Sequence, residues 1–118
     1  MEPLGVHHVS INVSDASRSL AFYTDVLGGR PRADRPDFGF GGAWIDLGGQ
    51  QVHLIEAAVP PNLGQHFAVQ VADLDAAVAE LRARGLTVGD PSPVGSGRQA
   101  FLDDPDGNVI ELHQAAPA

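Results

Sequence analysis

The chain of 118 residues contains no cysteine, and it has only one tryptophan, one tyrosine and one methionine. Without cysteine it can form no disulfide, no thiolate metal ligand and no cysteine nucleophile. No apolar run approaches the roughly 20 residues that a membrane-spanning helix needs. The opening sequence MEPLGVHHVS lacks a basic stretch followed by an apolar one, so no secretion signal is expected. These absences together predict a cytoplasmic protein.

Basic residues are also scarce. Seven Lys and Arg stand against 15 Asp and Glu, which gives a formal net charge of −8. Such a field repels phosphate backbones and anionic lipid, so we expect neither a nucleic-acid partner nor a membrane partner. The hydrophobic share of 43% is ordinary for a soluble protein, and the length suits one domain spanning 1–118.

The sequence matches itself at an offset of 58 residues. The matches fall at the start, middle and end of each half, without a gap between them. They predict two tandem modules, at about 4–57 and 66–115, joined by a short linker. Pro60, Pro61 and Gly64 break regular structure in that linker. The matched pairs include His8 with His66, Asp15 with Asp73, Asp46 with Asp104, Gly49 with Gly107, Val52 with Ile110, His53 with Glu111, and Leu54 with Leu112.

Each module has the pattern of a β-α-β-β-β unit. Polar and apolar residues alternate at 8–13 and again at 66–71, which is the period of a half-buried strand. Three short strands follow each helix, and the fold class is therefore α+β, with two tandem modules forming a curved mixed sheet. The short strands are predicted at 39–40, 43–47 and 51–57 in the first module, and at 87–88, 98–103 and 108–114 in the second.

A helix follows the first strand of each module. Ser14 and Asp15 offer a cap for the first helix, and either Asp73 or Asp75 can cap the second. Gly28 and Gly85 follow the last apolar positions and should end the helices.

Strand alternation places four polar side chains on the sheet face that points away from the helices: His8, His53, His66 and Glu111. Imidazole and carboxylate are common ligands of Zn, Ni, Fe, Co and Mn. Three imidazoles and one carboxylate leave a divalent ion net positive, and six-coordination would leave two positions for substrate oxygens. The sequence therefore predicts one divalent metal ion, Zn, Ni, Fe, Co or Mn, held by these four residues. Glu111 could also accept a proton.

A histidine on a strand, taken alone, is more often polar surface or hydrogen-bonded core than a metal ligand. Matched placement in both modules favours the ligand role, less strongly for His53. Alternation puts His7 on the opposite face, in a structural role, while His113 could orient Glu111 or simply be polar surface. The loops 30–42 and 90–97 are expected to shape a pocket. Core or pocket-wall positions are predicted for Phe22, Tyr23, Trp44 and Phe101.

Five segments carry a family resemblance: HHVSINVSD, SLAFYTDVLGG, WIDLGGQQVHLIE, HFAVQVADLDAAVAELRARG and FLDDPDGNVIELH. They resemble the vicinal oxygen chelate superfamily, also called the glyoxalase/bleomycin resistance/dioxygenase proteins, over nearly the whole chain. The resemblance implies paired β-α-β-β-β modules around a metal site, with ligands at His8, His53, His66 and Glu111. It also implies a homodimer, because small members commonly dimerise, often with sites at the subunit interface.

The resemblance implies a glyoxalase-like metalloenzyme acting on a small oxygen-chelating substrate, with lyase or isomerase chemistry favoured. A bleomycin-resistance-like binding protein, a fosfomycin-type transferase, a ring-cleaving dioxygenase and a structural or regulatory dimer are the alternatives. Asn12 stands where some glyoxalases place an arginine for glutathione, which argues against a glutathione-dependent reaction. Tyr23 is the one tyrosine that a dioxygenase pocket could use.

Overall fold

A computed structural model of the chain describes residues 1–117 and divides it into two compact units, Met1–Pro61 and Asn62–Ala118. Each unit has the element order β-α-β-β-β, which confirms the predicted α+β class. Among the described residues, no helix is long and apolar enough to cross a membrane.

Unit 1 contains a four-stranded sheet in the order β1-β4-β3-β2. Its first strand runs parallel to its last strand, and β3 pairs antiparallel with both β2 and β4. The helix begins as an α-helix and continues as a π-helical segment. The elements are β1 (His8–Val13), α1 (Ala16–Ala21), the π-helical segment Phe22–Val26, β2 (Arg30–Pro31), β3 (Gly42–Leu47) and β4 (Gln50–Glu56).

Unit 2 repeats this topology, with a four-stranded sheet in the order β5-β8-β7-β6. The first and last strands are again parallel neighbours, and β7 again pairs antiparallel on both sides. The elements are β5 (Phe67–Gln70), α2 (Leu74–Ala83), β6 (Ser92–Val94), β7 (Gly97–Asp103) and β8 (Val109–Gln114).

Several predicted strands differ from those observed. The strands predicted at 39–40 and 87–88 are absent, and β2 and β6 lie elsewhere. Gly39 has a φ of 80°, and its N–H donates to the Asp37 carboxylate, which makes a turn where a strand was predicted. Each unit pairs its own four strands, so the predicted mixed sheet consists of one four-stranded sheet in each module.

The helix starts follow the predicted capping. Asp15 and Asp73 each accept a hydrogen bond from the backbone N–H three residues on, at 3.1 and 3.0 Å. Asp75 is therefore not the cap, and its carboxylate forms an ion pair with Arg98 instead. Gly28 and Gly85 have φ values of 76° and 86°, the left-handed conformation that favours glycine after a helix.

The last strand of each unit also anchors the start of its helix. Glu56 Oε1 accepts a hydrogen bond of 2.9 Å from the N–H of Ala16, and Gln114 Oε1 accepts one of 2.8 Å from the N–H of Leu74. The anchoring residues lie 58 positions apart, and so do the two donors. Both units therefore fix helix to sheet by the same contact.

The predicted apolar face of each sheet packs into a core. Leu54 and Leu112, at matched positions of β4 and β8, are 1% and 2% exposed. The fully buried large side chains are Val13, Tyr23, Ile45, Leu54, Leu74 and Ile110.

The third strands do not follow the 58-residue offset. Trp44 lies opposite His53, and Phe101 lies opposite Glu111, so β3 and β7 match at an offset of 57. The single ungapped offset is therefore wrong for this strand, and the extra residue of unit 2 lies in the turn between β7 and β8.

Candidate functional site

Each unit brings its own two predicted ligands together. In the parallel pairing of first and last strands, Ser10 lies opposite His53 and Ala68 lies opposite Glu111. His8 and His66 stand two residues before Ser10 and Ala68. The backbone pairing thus makes the two residues of each pair diagonal neighbours. His66 itself precedes β5, although it was predicted to begin that strand.

The first pair, His8 and His53, is held by ring stacking. The two ring centroids are 3.9 Å apart with planes 13° from parallel. Trp44 stacks on His53 at 4.4 Å, also at 13°. The His53 Nε2 atom lies 2.8 Å from Gln51 Oε1. His53 is only 8% exposed, whereas His8 is on the surface.

The surroundings of His53 keep its imidazole neutral. Burial lowers its pKa below the ordinary value, and the neighbouring basic side chains His8, His7, Arg32 and Arg35 lower it further. Neutral imidazole is the form that binds metal ions, so this histidine is prepared for the predicted role.

His7 does not face away from His8, and that prediction is wrong. The two Nδ1 atoms lie 2.9 Å apart, and the rings meet edge to face at 5.2 Å between centroids. The reason is that β1 begins at His8, so strand alternation does not fix the side chain before it.

The second pair, His66 and Glu111, is held by hydrogen bonds between polar groups. Glu111 is 8% exposed, and its Oε1 lies 3.1 Å from His66 Nε2. Its Oε2 lies 2.8 Å from His113 Nδ1. His113 therefore contacts Glu111 directly, as the orienting role would require.

The surroundings of His66 have the opposite effect to those of His53. The pKa of His66 is raised above its ordinary value by the hydrogen bond to the Gly64 carbonyl and then by the Glu111 carboxylate. With Nδ1 donating to Gly64 O at 2.9 Å, Nε2 is the atom that shares a proton with Glu111. A cation could take the place of that proton.

The donor atoms of the second pair suit a divalent ion. Ligand bonds of about 2.1 Å at right angles place two donor atoms about 3 Å apart. The 3.1 Å between His66 Nε2 and Glu111 Oε1 agrees with that spacing. The first pair has suitable donors, but its rings are parallel, so its nitrogens converge only if the exposed His8 ring rotates.

Neither unit completes a metal site from its own residues. Within each unit, the described part of the chain has no group of three or more His, Asp and Glu side chains that could hold a metal ion. Each unit therefore offers two donor residues.

Each buried candidate ligand also lies opposite an aromatic residue of the third strand. Trp44 stacks on His53, while the ring of Phe101, opposite Glu111, meets His66 edge to face at 5.5 Å. Both aromatic residues were predicted only as core or pocket wall. The signal was present as two third-strand aromatics 57 residues apart, but an offset of 58 does not align them.

Unit 1 contains a cavity of about 570 Å³ beside the first pair. His8, His53 and Trp44 line it together with side chains from the loop at 30–42, as predicted for that loop. Most of the other predicted loop, 90–97, forms β6 and the turn after it. The loop residues that line the cavity are Arg32, Asp34, Arg35, Phe38 and Phe40.

Asn12 and Tyr23 do not line this pocket. Asn12 donates a hydrogen bond of 2.9 Å to the carbonyl of Ala58, and its amide carries no charge for a glutathione carboxylate. Tyr23 is completely buried, so its hydroxyl is not available to a ligand.

The family model for the Glyoxalase/Bleomycin resistance protein/Dioxygenase superfamily matches residues 5–112. The chain therefore belongs to this superfamily, and the resemblance in its motifs is confirmed.

Individual relatives point to different activities. The chain is 31% identical to a lactoylglutathione lyase of Arabidopsis thaliana, over 93% of this chain and 44% of that protein, and so spans less than half of it. It is 30% identical to a lactoylglutathione lyase of Salmonella typhimurium, over 94% of this chain and 93% of that one. TnmS3, an antibiotic binding protein from Streptomyces sp. CB03234, is similar in structure, with a TM-score of 0.80, 31% identity and coverage of 98% of this chain and 99% of that chain.

Proposed function

We propose that this protein is a glyoxalase-like, metal-dependent enzyme acting on a small oxygen-chelating substrate by lyase or isomerase chemistry. The observation that carries the proposal is the contact between His66 Nε2 and the buried Glu111 carboxylate, at 3.1 Å. The matched positions in the other unit bring together His8 and His53. The similarity to two lactoylglutathione lyases supports this class of chemistry.

The ligands of the proposed metal ion are His8, His53, His66 and Glu111, and the ion is Zn, Ni, Fe, Co or Mn. The two pairs come either from one chain or from the two chains of a homodimer. When bound, the ion acts as a Lewis acid that polarises a substrate carbonyl.

Glu111 is the proposed proton acceptor. On an α-hydroxy carbonyl substrate, one carboxylate oxygen takes the proton from the carbon that bears the hydroxyl and returns it to the former carbonyl carbon. The hydroxyl proton moves to the former carbonyl oxygen, so the carbonyl changes place with no net gain or loss of atoms. His113 acts as a positioning residue, because its Nδ1 contact of 2.8 Å holds Oε2 and leaves Oε1 directed toward His66. The low exposure of Glu111 keeps competing water away from the carboxylate.

The test of the metal site is metal analysis by plasma mass spectrometry on untagged protein. We expect about one divalent ion per chain, lost in His66→Ala and retained in Gln70→Ala, an exposed position on β5. No bound metal after reconstitution with Zn, Ni, Mn and Fe(II) would contradict the enzyme proposal.

Mixing two inactive variants tests whether the site joins two chains. His53→Ala and Glu111→Ala are each expected to lose the metal when purified alone. In a homodimer whose site takes one pair from each chain, mixing them should restore metal to about one quarter of the sites. If both pairs come from one chain, the mixture stays empty, although the wild-type protein still binds metal.

A small-molecule binding protein is the second candidate. The cavity of unit 1 carries Phe38, Phe40 and Trp44 on its wall, and the similar Streptomyces protein is described as antibiotic binding. Proteins that bind drugs in an aromatic groove need no metal ion. Metal content therefore separates the two candidates.

A further inference from the structure

We infer that the cavity of unit 1 selects a planar organic acid, with Arg35 receiving its carboxylate and the rings of Phe38 and Phe40 receiving its flat portion. The inference names the substrate class of the proposed site and so rests on the proposed function. It assigns Arg35 a specificity role.

Arg35 is a cation that no carboxylate neutralises. In the part of the chain that the structure describes, it takes part in no ion pair. Arg32, by contrast, contacts Asp34 and Asp46 at 2.8 Å each. Both arginines line the cavity, so Arg35 provides the uncompensated positive charge there.

The guanidinium of Arg35 is held in place by neutral groups. Its Nη2 donates a hydrogen bond of 3.0 Å to the carbonyl of Phe40. Its central carbon lies 5.0 Å from the ring centroid of Phe38 and 5.5 Å from that of Phe40. These contacts hold the guanidinium group in place and use one of its five N–H donors. A carboxylate can therefore bind without first ordering the side chain.

The aromatic rings form a continuous row from Arg35 to the first pair. Phe38 and Phe40 stack at 5.5 Å with planes 15° apart, and each is 49% exposed. The ring centroid of Trp44 lies 6.2 Å from that of Phe38 and 4.4 Å from that of His53. A flat ligand can therefore lie along this row, with one end near the proposed metal ligands and its charged end at Arg35.

Charge and size fix the class of ligand. The net charge of the chain is −8, and this charge repels anions in general. The unpaired Arg35 guanidinium nevertheless favours an anion inside this cavity. The cavity of about 570 Å³ is suited to a small molecule. Small-molecule sites commonly measure about 300 to 1,000 Å³.

The test compares trans-cinnamate with its neutral amide by calorimetry on the metal-free protein of 118 residues. Arg35→Gln should weaken cinnamate binding about tenfold and leave cinnamamide binding within about twofold, because only the charged hydrogen bond is lost. Arg30→Gln, an exposed arginine that does not line the cavity, is the matched control and should change neither affinity. An equal loss for both probes, or no loss in Arg35→Gln, would overturn the inference.

A second pair of probes tests the rings. Cinnamate should bind more tightly than the non-planar 3-cyclohexylpropanoate, and Phe38→Leu together with Phe40→Leu should remove that preference. If the preference survives in the double variant, the aromatic row does not select planar ligands.

The outcome is separable from that of the metal site. Arg35→Gln should bind as much metal as the wild-type protein. If the protein binds metal but its affinity for cinnamate does not depend on Arg35, this inference alone is overturned. Dependence on Arg35 in a protein that binds no metal supports acid recognition and overturns the enzyme proposal instead.

Discussion

Units 1 and 2 share one topology, yet they hold their polar pairs together by different forces. His8 and His53 are stacked rings with Trp44 completing the stack. His66 and Glu111 are joined through polar atoms, with His113 on the second carboxylate oxygen. The pKa of His53 is lowered, chiefly by burial, while the pKa of His66 is raised by its hydrogen-bond acceptors.

This difference shows which parts of the repeat each unit has kept. Strand order, the capping aspartates and the contact between last strand and helix start are the same in both units. The side chains on the polar face have diverged, so that unit 1 offers two imidazoles beside an aromatic cavity. Unit 2 offers a carboxylate and a shared proton. Both units therefore share the backbone fold, and they differ in the chemical groups on the polar face.

Replacing the charged member of the second pair should give the largest effect. Glu111→Gln keeps the size of the side chain but removes the negative charge, so we expect metal affinity to fall by on the order of 100-fold. Once a substrate is identified, the kcat of this variant should be lower than that of the wild-type protein by about 10²-fold to 10⁴-fold, the usual contribution of a general base. Competition with a chromophoric chelator measures the affinity.

The control for that variant is Glu80→Gln, an exposed carboxylate on α2. It should leave metal affinity unchanged. Equal affinities of Glu111→Gln and the wild-type protein would remove the chemical distinction between the units, because the carboxylate would then not be a ligand.

Because the two units share one fold, we expect equal stability losses at matched core positions. Leu54 and Leu112 occupy equivalent places on β4 and β8, at 1% and 2% exposure. Leu54→Ala and Leu112→Ala should each lower the free energy of unfolding by about 2 to 5 kcal/mol, measured by urea titration. Leu63→Ala, at an 83% exposed position, should change it by less than about 0.5 kcal/mol. A loss at one leucine only would show that the two cores do not contribute alike.

Most of the fold could be predicted from the sequence, because local patterns of residues along the chain determine the strands and helix ends. Alternation located β1, and the aspartate and glycine signals located the helix ends at Asp15, Gly28, Asp73 and Gly85. It misplaced β2 and β6, which have two and three residues and too few alternating positions to give a signal. The one-residue shift of β7 also escaped, because it appears only in cross-strand register.

For the site, the sequence predicted which residues share a face but not what holds them. The diagonal placement of His8 beside His53, and of His66 beside Glu111, follows from parallel pairing of first and last strands, which no local pattern reveals. The contact of His7 with His8 escaped because alternation fails before the strand begins. The unpaired Arg35 depends on a loop conformation that local sequence does not determine.

A charge exchange at the helix anchors tests a smaller difference between the units. Glu56 brings a negative charge to the start of α1, whereas Gln114 brings a neutral amide to the start of α2. Gln114→Glu should stabilise the protein by about 0.3 to 1 kcal/mol at low salt, and Glu56→Gln should destabilise it by a similar amount. Thermal unfolding at low and high salt checks this, because both effects should shrink as salt screens the charge.

The smallest expected effect is a pair of opposite pH dependences in the metal-free protein. His66 has a pKa raised above 6.5, so its contribution to stability is present below pH 6.5 and is lost as the pH rises through its folded-state value. His53 has a pKa lowered below 6.5, so its contribution is present above pH 6.5 and is lost as the pH falls through its folded-state value. NMR titration of the imidazole signals, assigned with His66→Gln and His53→Asn, should place the two midpoints on opposite sides of 6.5. Because His66 is about one-third exposed, solvent screening keeps its part small, and the direction of each shift is the decisive result. Midpoints on the same side would mean that burial in unit 1 and hydrogen bonding in unit 2 do not shift the pKa values of His53 and His66 in opposite directions, and the division of chemistry between the units would then have to be abandoned.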